Sequence, residues 1–529
     1  MRSIPIKNFI VLNVIFCSIL NLQGQQGNTL LGNGAGANIT TADSVVAIGV
    51  DAAHLTTQGA RHVLLGTKAG YNINYNPSST VGNPTGSGGS VFLGYLTGYH
   101  TISADDNVFI GDQAGYSTTT GNDNVFVGSR SGLLNTTGYD NVFLGKWSGA
   151  KNTSASSNLF LGNNSGYENT TGSNNTFIGY KAGENNNTGF YNTFVGYRSG
   201  VYNTTGNSNT SAGYFSQFQN DTGENNTIIG YYAGYFTEFV SNNTFIGAYA
   251  GHLNNATNGT DNAKQNTYFG YSAGESNRSG SNNTGIGSFA DFSLSSTDIS
   301  NAVFVGSGSI VERNGVTIIG RDGIASGTNS IAIGKESNVM TDADNSIAIG
   351  YQSSVNNLNS INIGNAMHTS IGGAVNWTAT SDRGYKSEIL ENVVGLDFIN
   401  ALTPVTYRFD TRKLFESFGG VIPDDLLSAI ESKNHMRFTG FLAQDVEIAS
   451  KDTDFEFSGV DKRNTDLYGL RYAEFVVPLV RAVQELSTKI EDLEDQTRQQ
   501  DELLIQYEAV LAKASKKLQQ LKRQSYVSK

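Results

Sequence analysis

The residues with the clearest capacity for chemistry are a serine and a lysine near the start of the C-terminal third, Ser381 and Lys386. A serine hydroxyl becomes a nucleophile when a neighbouring base accepts its proton, and a partly desolvated lysine can be that base without any histidine. Because any solvated loop can hold a serine five residues before a lysine, this spacing alone does not indicate a catalytic site.

Other groups of reactive side chains are weaker candidates. The pairs Asp105–Asp106 and Asp342 with Asp344 are interpreted as loop residues rather than as the two carboxylates of a glycosidase. The only cysteine, Cys17, lies in an N-terminal apolar run, so the mature chain has no thiol nucleophile. The Gly-Gly-x-Gly-x-Asp nonapeptide of calcium-binding β-helices is missing. We therefore expect neither a metal nor a cofactor.

Most of the chain is a repeat that must position whatever site exists. Glycines recur every seventeen residues from Gly111 to Gly247 without a slip, and an asparagine stands four residues before each of them. The repeat begins earlier, at Gly32, and the match after Gly247 is Gly270, six residues late. A fixed period in this range predicts a stacked, quasi-one-dimensional solenoid, which we assign to residues 25–325.

Each repeat contains one short apolar segment that predicts a β-strand. Successive strand residues face opposite sides, so Phe143 and Leu144 cannot share a face. One face can be the interior of the coil, and the other then needs a second surface, most simply another copy of the chain. The asparagine column predicts an amide ladder between coils. Adjacent threonines such as Thr136 and Thr137 are interpreted as turn residues.

The overall composition restricts the class of protein. The chain has 529 residues, 62 of them glycine but only 6 proline, which excludes a collagen-like fibre. A net charge of −12 argues against nucleic acid as a partner. Apolar content is only 38%, but a repeat can bury its few apolar groups by stacking, so we expect order.

The N-terminus has the pattern of a secretory signal peptide, assigned to residues 1–24. Arg2 and Lys7 form a basic start, Phe9–Leu22 is mostly apolar, and Gly24 offers a small residue for cleavage. No later segment is long and apolar enough to span a membrane. We therefore expect an exported protein, at the cell surface or extracellular, without a transmembrane segment in the mature chain.

The repeat shortens near residue 325. Asn329-Ser-Ile-Ala-Ile-Gly334, Asn345-Ser-Ile-Ala-Ile-Gly350 and Asn359-Ser-Ile-Asn-Ile-Gly364 are spaced sixteen and fourteen residues apart. This motif resembles the head repeat of trimeric autotransporter adhesins, whose heads are parallel β-rolls associated three-fold. The resemblance implies an adhesin-head-like segment and neck over residues 326–375.

Composition changes again after about residue 375, where charges become dense. Residues 376–475 predict a compact mixed α/β unit with a short helix from Gly395 to Leu402 and a strand from Pro404 to Phe409. Residues 476–525 carry apolar residues at alternating steps of three and four, the seam of a coiled coil. The seam consists of Val476, Leu479, Val483, Leu486, Ile490, Leu493, Thr497, Gln500, Leu504, Tyr507, Leu511, Ala514, Leu518 and Leu521.

Four ordered motifs in this last third resemble the endosialidase-type intramolecular chaperone domain. They are Ser381-Asp-Arg-Gly-Tyr-Lys386, Ala401-Leu-Thr-Pro-Val-Thr-Tyr407, Gly440-Phe-Leu-Ala-Gln-Asp-Val446 and Tyr472-Ala-Glu-Phe-Val-Val-Pro-Leu479. Members of that family trimerise, assist the folding of the β-fibre ahead of them, and in many cases cut themselves off.

The resemblance implies a role for each residue of the first motif. Ser381 would be the nucleophile, Lys386 the general base, and the bond between Thr380 and Ser381 the cleavage site. We expect Asp382 to cap a turn. The enzyme activity would be at most that of an autocatalytic Ser-Lys endopeptidase that acts once on its own chain.

Together these observations predict a mainly β protein: a repetitive parallel β-roll or solenoid, followed by a small α/β chaperone domain and a C-terminal coiled coil. The resemblances imply a trimer, whereas the heptad pattern alone does not choose between a dimer and a trimer. The expected function is that of an exported homotrimeric, adhesin-like structural fibre, with itself and a surface glycan or host matrix ligand as partners. The alternatives are a phage-tail-fibre-like protein and a fibre that binds or degrades polysaccharide.

Overall fold

The structure is a computed structural model that describes residues 27–527, apart from 41, 43, 58–60, 74–87, 255–262, 295–297, 375–376, 418–421, 423–425 and 463–467. The chain divides into two compact units, Met1–Asn365 and Ala366–Lys529. The predicted signal peptide and Cys17 lie outside the described residues.

The first unit is a parallel β-solenoid, which confirms the fold predicted from the repeat. Its main sheet has 20 strands, each in parallel register with the strands of the adjacent coils. The strands are Thr29–Leu31, Val46–Ile48, Val63–Leu65, Val91–Leu93, Val108–Ile110, Val125–Val127, Val142–Leu144, Leu159–Leu161, Thr176–Ile178, Thr193–Val195, Thr210–Ala212, Thr227–Ile229, Thr244–Ile246, Thr267–Phe269, Thr284–Ile286, Val303–Val305, Thr317–Ile319, Ile331–Ile333, Ile347–Ile349 and Ile361–Ile363.

The three residues of a strand divide between two faces, as the alternation of side chains requires. Phe143 is fully buried inside the coil, whereas Val142 and Leu144 point outward and are partly exposed. The Phe143 ring stacks on the Phe160 ring of the next coil, with centroids 4.8 Å apart and planes 6° apart. Seven phenylalanines form such a continuous stack between Phe92 and Phe194.

The two glycines of the repeat are required for different reasons. Gly179 has a φ of +137°, and a Cβ there would lie 2.3 Å from the carbonyl oxygen of Gly196 in the next coil. Gly183 has a φ of +58°, and its Cβ would lie 2.6 Å from the ring of Phe177. The first glycine therefore permits close approach of coils, and the second leaves room for the aromatic stack.

Two columns of buried asparagines join the coils. In the predicted column, the Asn141 backbone N–H donates to Asn124 Oδ1 at 3.0 Å, and Asn141 Nδ2 donates to the Ala155 carbonyl at 2.9 Å. A second column was not predicted, although its members are also seventeen residues apart; there Asn152 Nδ2 donates to Asn135 Oδ1 at 2.6 Å. Each column satisfies amide groups that would be costly to bury unpaired.

The adjacent threonines lie in turns, as predicted, and their hydroxyls form hydrogen bonds with the backbone. Thr136 Oγ1 donates to the Thr153 carbonyl at 2.8 Å, and Thr153 Oγ1 repeats this contact with Thr170 at 3.0 Å. The hydroxyls therefore cap backbone carbonyls of the following coil.

A second parallel sheet of five short strands runs beside the main sheet in the later coils. It begins at Asp291, upstream of the change in spacing near residue 325. Each later coil thus contains two strands, which gives it a second flat side. The strands are Asp291–Phe292, Ile310–Val311, Ile324–Ala325, Asn338–Val339 and Ser354–Val355.

The second unit contains short helices and two antiparallel strand pairs, Val405–Tyr407 with Phe438–Gly440 and Val460–Lys462 with Tyr468–Leu470. Its small core is formed by Phe398, Val446, Ala449 and Phe475. The α-helices are Leu396–Ala401, Thr411–Ser417, Leu427–His435, Ala443–Asp452 and Val476–Val527, and 3-10 turns lie at Arg383–Tyr385 and Tyr472–Phe475.

The heptad segment forms one long helix, Val476–Val527. Pro478 lies in its first turn, where a missing N–H costs nothing. Its apolar seam side chains are exposed in the single chain. Within the described residues, no helix combines the length and apolar character needed to cross a membrane.

Candidate functional site

The serine and lysine singled out from the sequence are in contact. Lys386 Nζ donates a hydrogen bond to Ser381 Oγ at 2.7 Å. The turn Arg383–Tyr385 brings them together, and Asp382 Oδ1 accepts from the Gly384 N–H at 2.7 Å. Asp382 is therefore a turn-capping residue, as predicted. The arrangement has the contact that proton transfer from Ser381 to Lys386 would need.

The pair is not enclosed by its own chain. Thr380, Ser381 and Lys386 are all exposed, so nothing here removes water from the lysine ammonium. Two large apolar side chains near the pair in sequence are also exposed, with Trp377 at 84% and Tyr385 at 87% of their full accessibility.

The aspartate pairs are placed as loop residues. Asp105 and Asp106 precede a strand of the main sheet, and Asp342 lies in a turn between two strands. Asp344 Oδ1 accepts from the Thr328 N–H at 2.6 Å, which gives it a structural role. Among the residues that the structure describes, no three His, Cys, Asp or Glu side chains form a group able to hold a metal ion.

A buried lysine in the second unit was not predicted. Lys433 Nζ donates to the His368 carbonyl at 2.6 Å and to the Ala366 carbonyl. Burial lowers the pKa of this lysine below its usual value. No sequence signal distinguishes it from neighbouring surface lysines, because its partners are backbone oxygens far along the chain.

A continuous feature of the solenoid surface is formed by the first and third residues of the main-sheet strands, called here the outer stripe. The third residue is apolar in all 20 strands, and no first residue is charged. At the usual separation of strands, the stripe is about 90 Å long. The third residues are Leu31, Ile48, Leu65, Leu93, Ile110, Val127, Leu144, Leu161, Ile178, Val195, Ala212, Ile229, Ile246, Phe269, Ile286, Val305, Ile319, Ile333, Ile349 and Ile363.

The outer stripe corresponds to the second apolar face expected from Phe143 and Leu144. Several of its side chains are more than one-third exposed, among them Leu161, Ile229, Phe269 and Ile319. A soluble monomer rarely exposes an apolar patch of this extent without a function for it.

No known protein family matches this chain, and no curated protein shows significant similarity to it. Function therefore has to be inferred from the two units themselves.

Proposed function

We propose that the protein is an exported homotrimeric, adhesin-like fibre whose C-terminal unit trimerises, assists the folding of the solenoid and then cleaves itself off between Thr380 and Ser381. The outer stripe carries this proposal, because its third residues are all apolar, none of its first residues is charged, and it continues over 20 strands. Export and a cell-surface or extracellular location follow from the basic and apolar N-terminus, which lies outside the described residues.

The stripe has the size of a protein interface. A strip about 90 Å long and about 10 Å wide offers about 900 Å² per chain, close to what each partner buries in a standard interface. Copies of the same chain match it best, because their coils have the same spacing along the whole length. A partner of another fold would meet that spacing over a few coils only.

The long helix offers a second self-complementary surface. Its seam residues Leu486, Ile490, Leu493 and Leu504 are exposed at heptad spacing, the pattern that packs helices of a coiled coil against each other. Thr497 and Gln500 interrupt the seam. Polar seam residues of this kind fix register and oligomeric state at some cost in stability.

Register explains why the fibre would need an assembly device. If one chain slips by a single coil, apolar side chains still face apolar side chains, so the stripe does not distinguish the correct alignment. Long-range strand assembly is also slow and prone to aggregation. A helix that trimerises first would align the chains before the coils form.

Cleavage would depend on assembly in this proposal. A partner copy that covers Trp377 and Tyr385 would remove water around Ser381 and Lys386, and desolvation favours the neutral lysine that a general base must be. Removal of the C-terminal unit would then leave a fibre whose disassembly is limited by kinetics.

Light scattering on residues 25–529 carrying Ser381→Ala, which keeps the C-terminal unit attached, tests the trimer. We expect three times the mass of one chain, and monomers for the double variant Ile490→Asp/Leu493→Asp, which places charges in the seam. The control Gln484→Asp/Thr488→Asp adds the same charge outside the seam and should stay trimeric. A protein with the unaltered seam that is only monomeric at micromolar concentration would contradict the proposal.

Mass spectrometry of residues 25–529 tests cleavage. We expect a new N-terminus at Ser381 in the wild type and in Ser387→Ala, and an intact chain in Ser381→Ala and Lys386→Met. An intact wild-type trimer would refute self-cleavage and leave the fibre proposal standing.

A further inference from the structure

A groove of about 330 Å³ lies on the turn side of the solenoid, away from the main-sheet strands. Three successive coils build it, and equivalent residues of these coils stack in register: the Thr204 N–H donates to the Asp221 carbonyl at 2.9 Å, and the Asp221 N–H donates to the Glu238 carbonyl at 2.8 Å. It is lined by Tyr202, Thr204, Gln219, Asp221, Glu238 and Phe239.

The polar side of the groove is rich in hydrogen-bond acceptors. Asp221 Oδ1 accepts from Thr204 Oγ1. The Glu238 carboxylate has no hydrogen-bond or ion-pair partner among the described residues. The Gln219 side chain adds an amide, and no lysine or arginine lines the groove. A ligand that presents several hydroxyl donors and no negative charge suits these groups.

Aromatic rings form the apolar side of the groove. Tyr202 is 47% exposed and packs edge-on against Phe218, with ring centroids 5.1 Å apart and planes 88° apart. Phe218 in turn stacks on Tyr235 of the next coil at 4.9 Å. Phe218 and Tyr235 belong to successive coils and stack along the solenoid axis. The plane of the Tyr202 ring is perpendicular to the plane of Phe218, so it lies parallel to that axis. It is not stacked face to face on another described ring.

We propose that this groove binds a neutral saccharide, with the sugar chain running along the solenoid axis. The apolar C–H side of a sugar ring packs on an aromatic ring such as Tyr202, and sugar hydroxyls donate to the carboxylates of Asp221 and Glu238 and to the Gln219 amide. The same carboxylates repel acidic glycans.

The site is suited to binding rather than to hydrolysis. Glycosidases place their two carboxyl groups on opposite sides of the bond that breaks. Asp221 and Glu238 occupy the same position in consecutive coils, so both reach the ligand from one wall of the groove.

A second groove occupies the same part of the repeat in earlier coils. It has a volume of about 430 Å³ but contains no carboxylate, and it is lined by Leu55, Asn72, His100, Ile102, Ser117 and Thr119. Most residues of both grooves lie six or eight positions after the first glycine of a repeat. Between the grooves, Lys151 and Glu168 fill the equivalent position with a 2.7 Å ion pair. Glu168 is therefore a matched acidic control outside either groove.

The biological use of the groove rests on the proposed role as a surface fibre, but saccharide binding can be measured independently. Residues 25–529 would be titrated calorimetrically with linear hexasaccharides of glucose, N-acetylglucosamine, mannose and galactose, and with hexagalacturonate as an acidic comparator. We expect at least one neutral hexasaccharide to bind, and the acidic one to bind at least about tenfold more weakly.

Variants locate the binding site. Tyr202→Ala and Glu238→Gln should each weaken binding about tenfold, because each removes one side of the sugar contact. Glu168→Gln should bind as the wild type does, and circular dichroism should show the same melting temperature for all variants.

Two results would overturn the groove proposal: no neutral saccharide binding at millimolar concentration, or unchanged binding by Tyr202→Ala and Glu238→Gln. Self-association of fibres that Tyr202→Ala abolishes without any sugar would also overturn it, in favour of fibre-to-fibre contact. A trimer that binds no saccharide refutes only the groove, whereas a monomer that binds one refutes only the fibre.

Discussion

The solenoid and the long C-terminal helix differ in how far the single chain buries their large apolar side chains. Phe143 is fully buried by the coils of its own chain, whereas Leu493 of the helix is 59% exposed. The solenoid thus buries its interior stack by itself and leaves the outer stripe partly exposed. The helix leaves the apolar side chains of its seam exposed. In the proposed trimer, therefore, the helix would gain more from association than the coils would.

Two departures from the repeat inside the solenoid are paired. Where the stack has Ser211 in place of phenylalanine, the second glycine of the repeat is replaced by Gln217. Likewise Gly285 in a strand is accompanied by Asp291 at the glycine position. In regular coils a Cβ on the second glycine would clash with the buried strand side chain, with Phe177 at Gly183 and with Ile228 at Gly234. At these two exceptions, therefore, the two positions change together as one packing unit.

The largest expected effect tests the close approach of coils. Gly179→Ala should destabilise the protein by at least about 4 kcal/mol, because it combines a φ unsuited to L-residues with a backbone clash. Gly372→Ala is the control in the other unit, where a Cβ would have nothing within 4 Å. Urea unfolding measures both; equal midpoints would mean that the coils can separate to make room.

The second-largest expected effect is a pH dependence of stability caused by a buried acid. Burial raises the pKa of Asp291 in the solenoid to about 6, whereas it lowers the pKa of the base Lys433 in the other unit. Between pH 3.8 and 6, Asp291 is protonated to a greater extent in the folded chain than in the unfolded chain. The free energy of unfolding therefore falls as the pH rises through this window.

Asp291→Asn should remove that part of the pH dependence, a change of about 3 kcal/mol between the ends of the window. The measurement is the difference in urea midpoint between wild type and variant at several pH values. The Ser276 N–H, which donates to Asp291 Oδ1 at 3.0 Å, can still donate to the asparagine. A difference that stays constant with pH would show that Asp291 is not desolvated.

A smaller effect is expected in the asparagine column. Asn192→Ala leaves the Gly206 carbonyl and the Asn209 N–H without their buried partner, which should cost about 2 kcal/mol. Asn207→Ala is the control, since Asn207 makes similar hydrogen bonds on the surface, where water replaces them. Similar losses in thermal unfolding for both would contradict a special role of the buried ladder.

The smallest effect is the coupling between paired positions. Gly200→Gln should clash with the ring of Phe194, where even a Cβ would lie at 2.5 Å. Combined with Phe194→Ser, it reproduces the natural pair of the next coil and should be less harmful than the sum of the single changes, by about 1–2 kcal/mol. Strict additivity in a double-mutant cycle would show that the pairing of exceptions is accidental.

Local pattern predicted much of this fold. The period of the glycines predicted the stacked coils, and the alternation of side chains around Phe143 predicted that each strand has an inner and an outer face. The short helix near residue 395 and the strand after Pro404 are present as Leu396–Ala401 and Val405–Tyr407. The second sheet was missed because strands as short as Ile310–Val311 have too few residues to show a period of two.

Sites that depend on stacking were harder to predict. The contact of Ser381 with Lys386 is local, five residues apart, and a motif can suggest it. The groove around Asp221 and Glu238 exists only because equivalent positions of successive coils are superposed. Written along the sequence, these two acids are separated by a full repeat and carry no local signal.

The parallel register has a mechanical consequence. Hydrogen bonds between coils point along the axis of the solenoid, so a pull on its ends loads them in series, and the end coils should peel off first. Each released coil of seventeen residues lengthens the chain by about 50–60 Å. A stretched solenoid would then yield in many small steps, equal over the regular coils, and dissipate load gradually instead of failing at once.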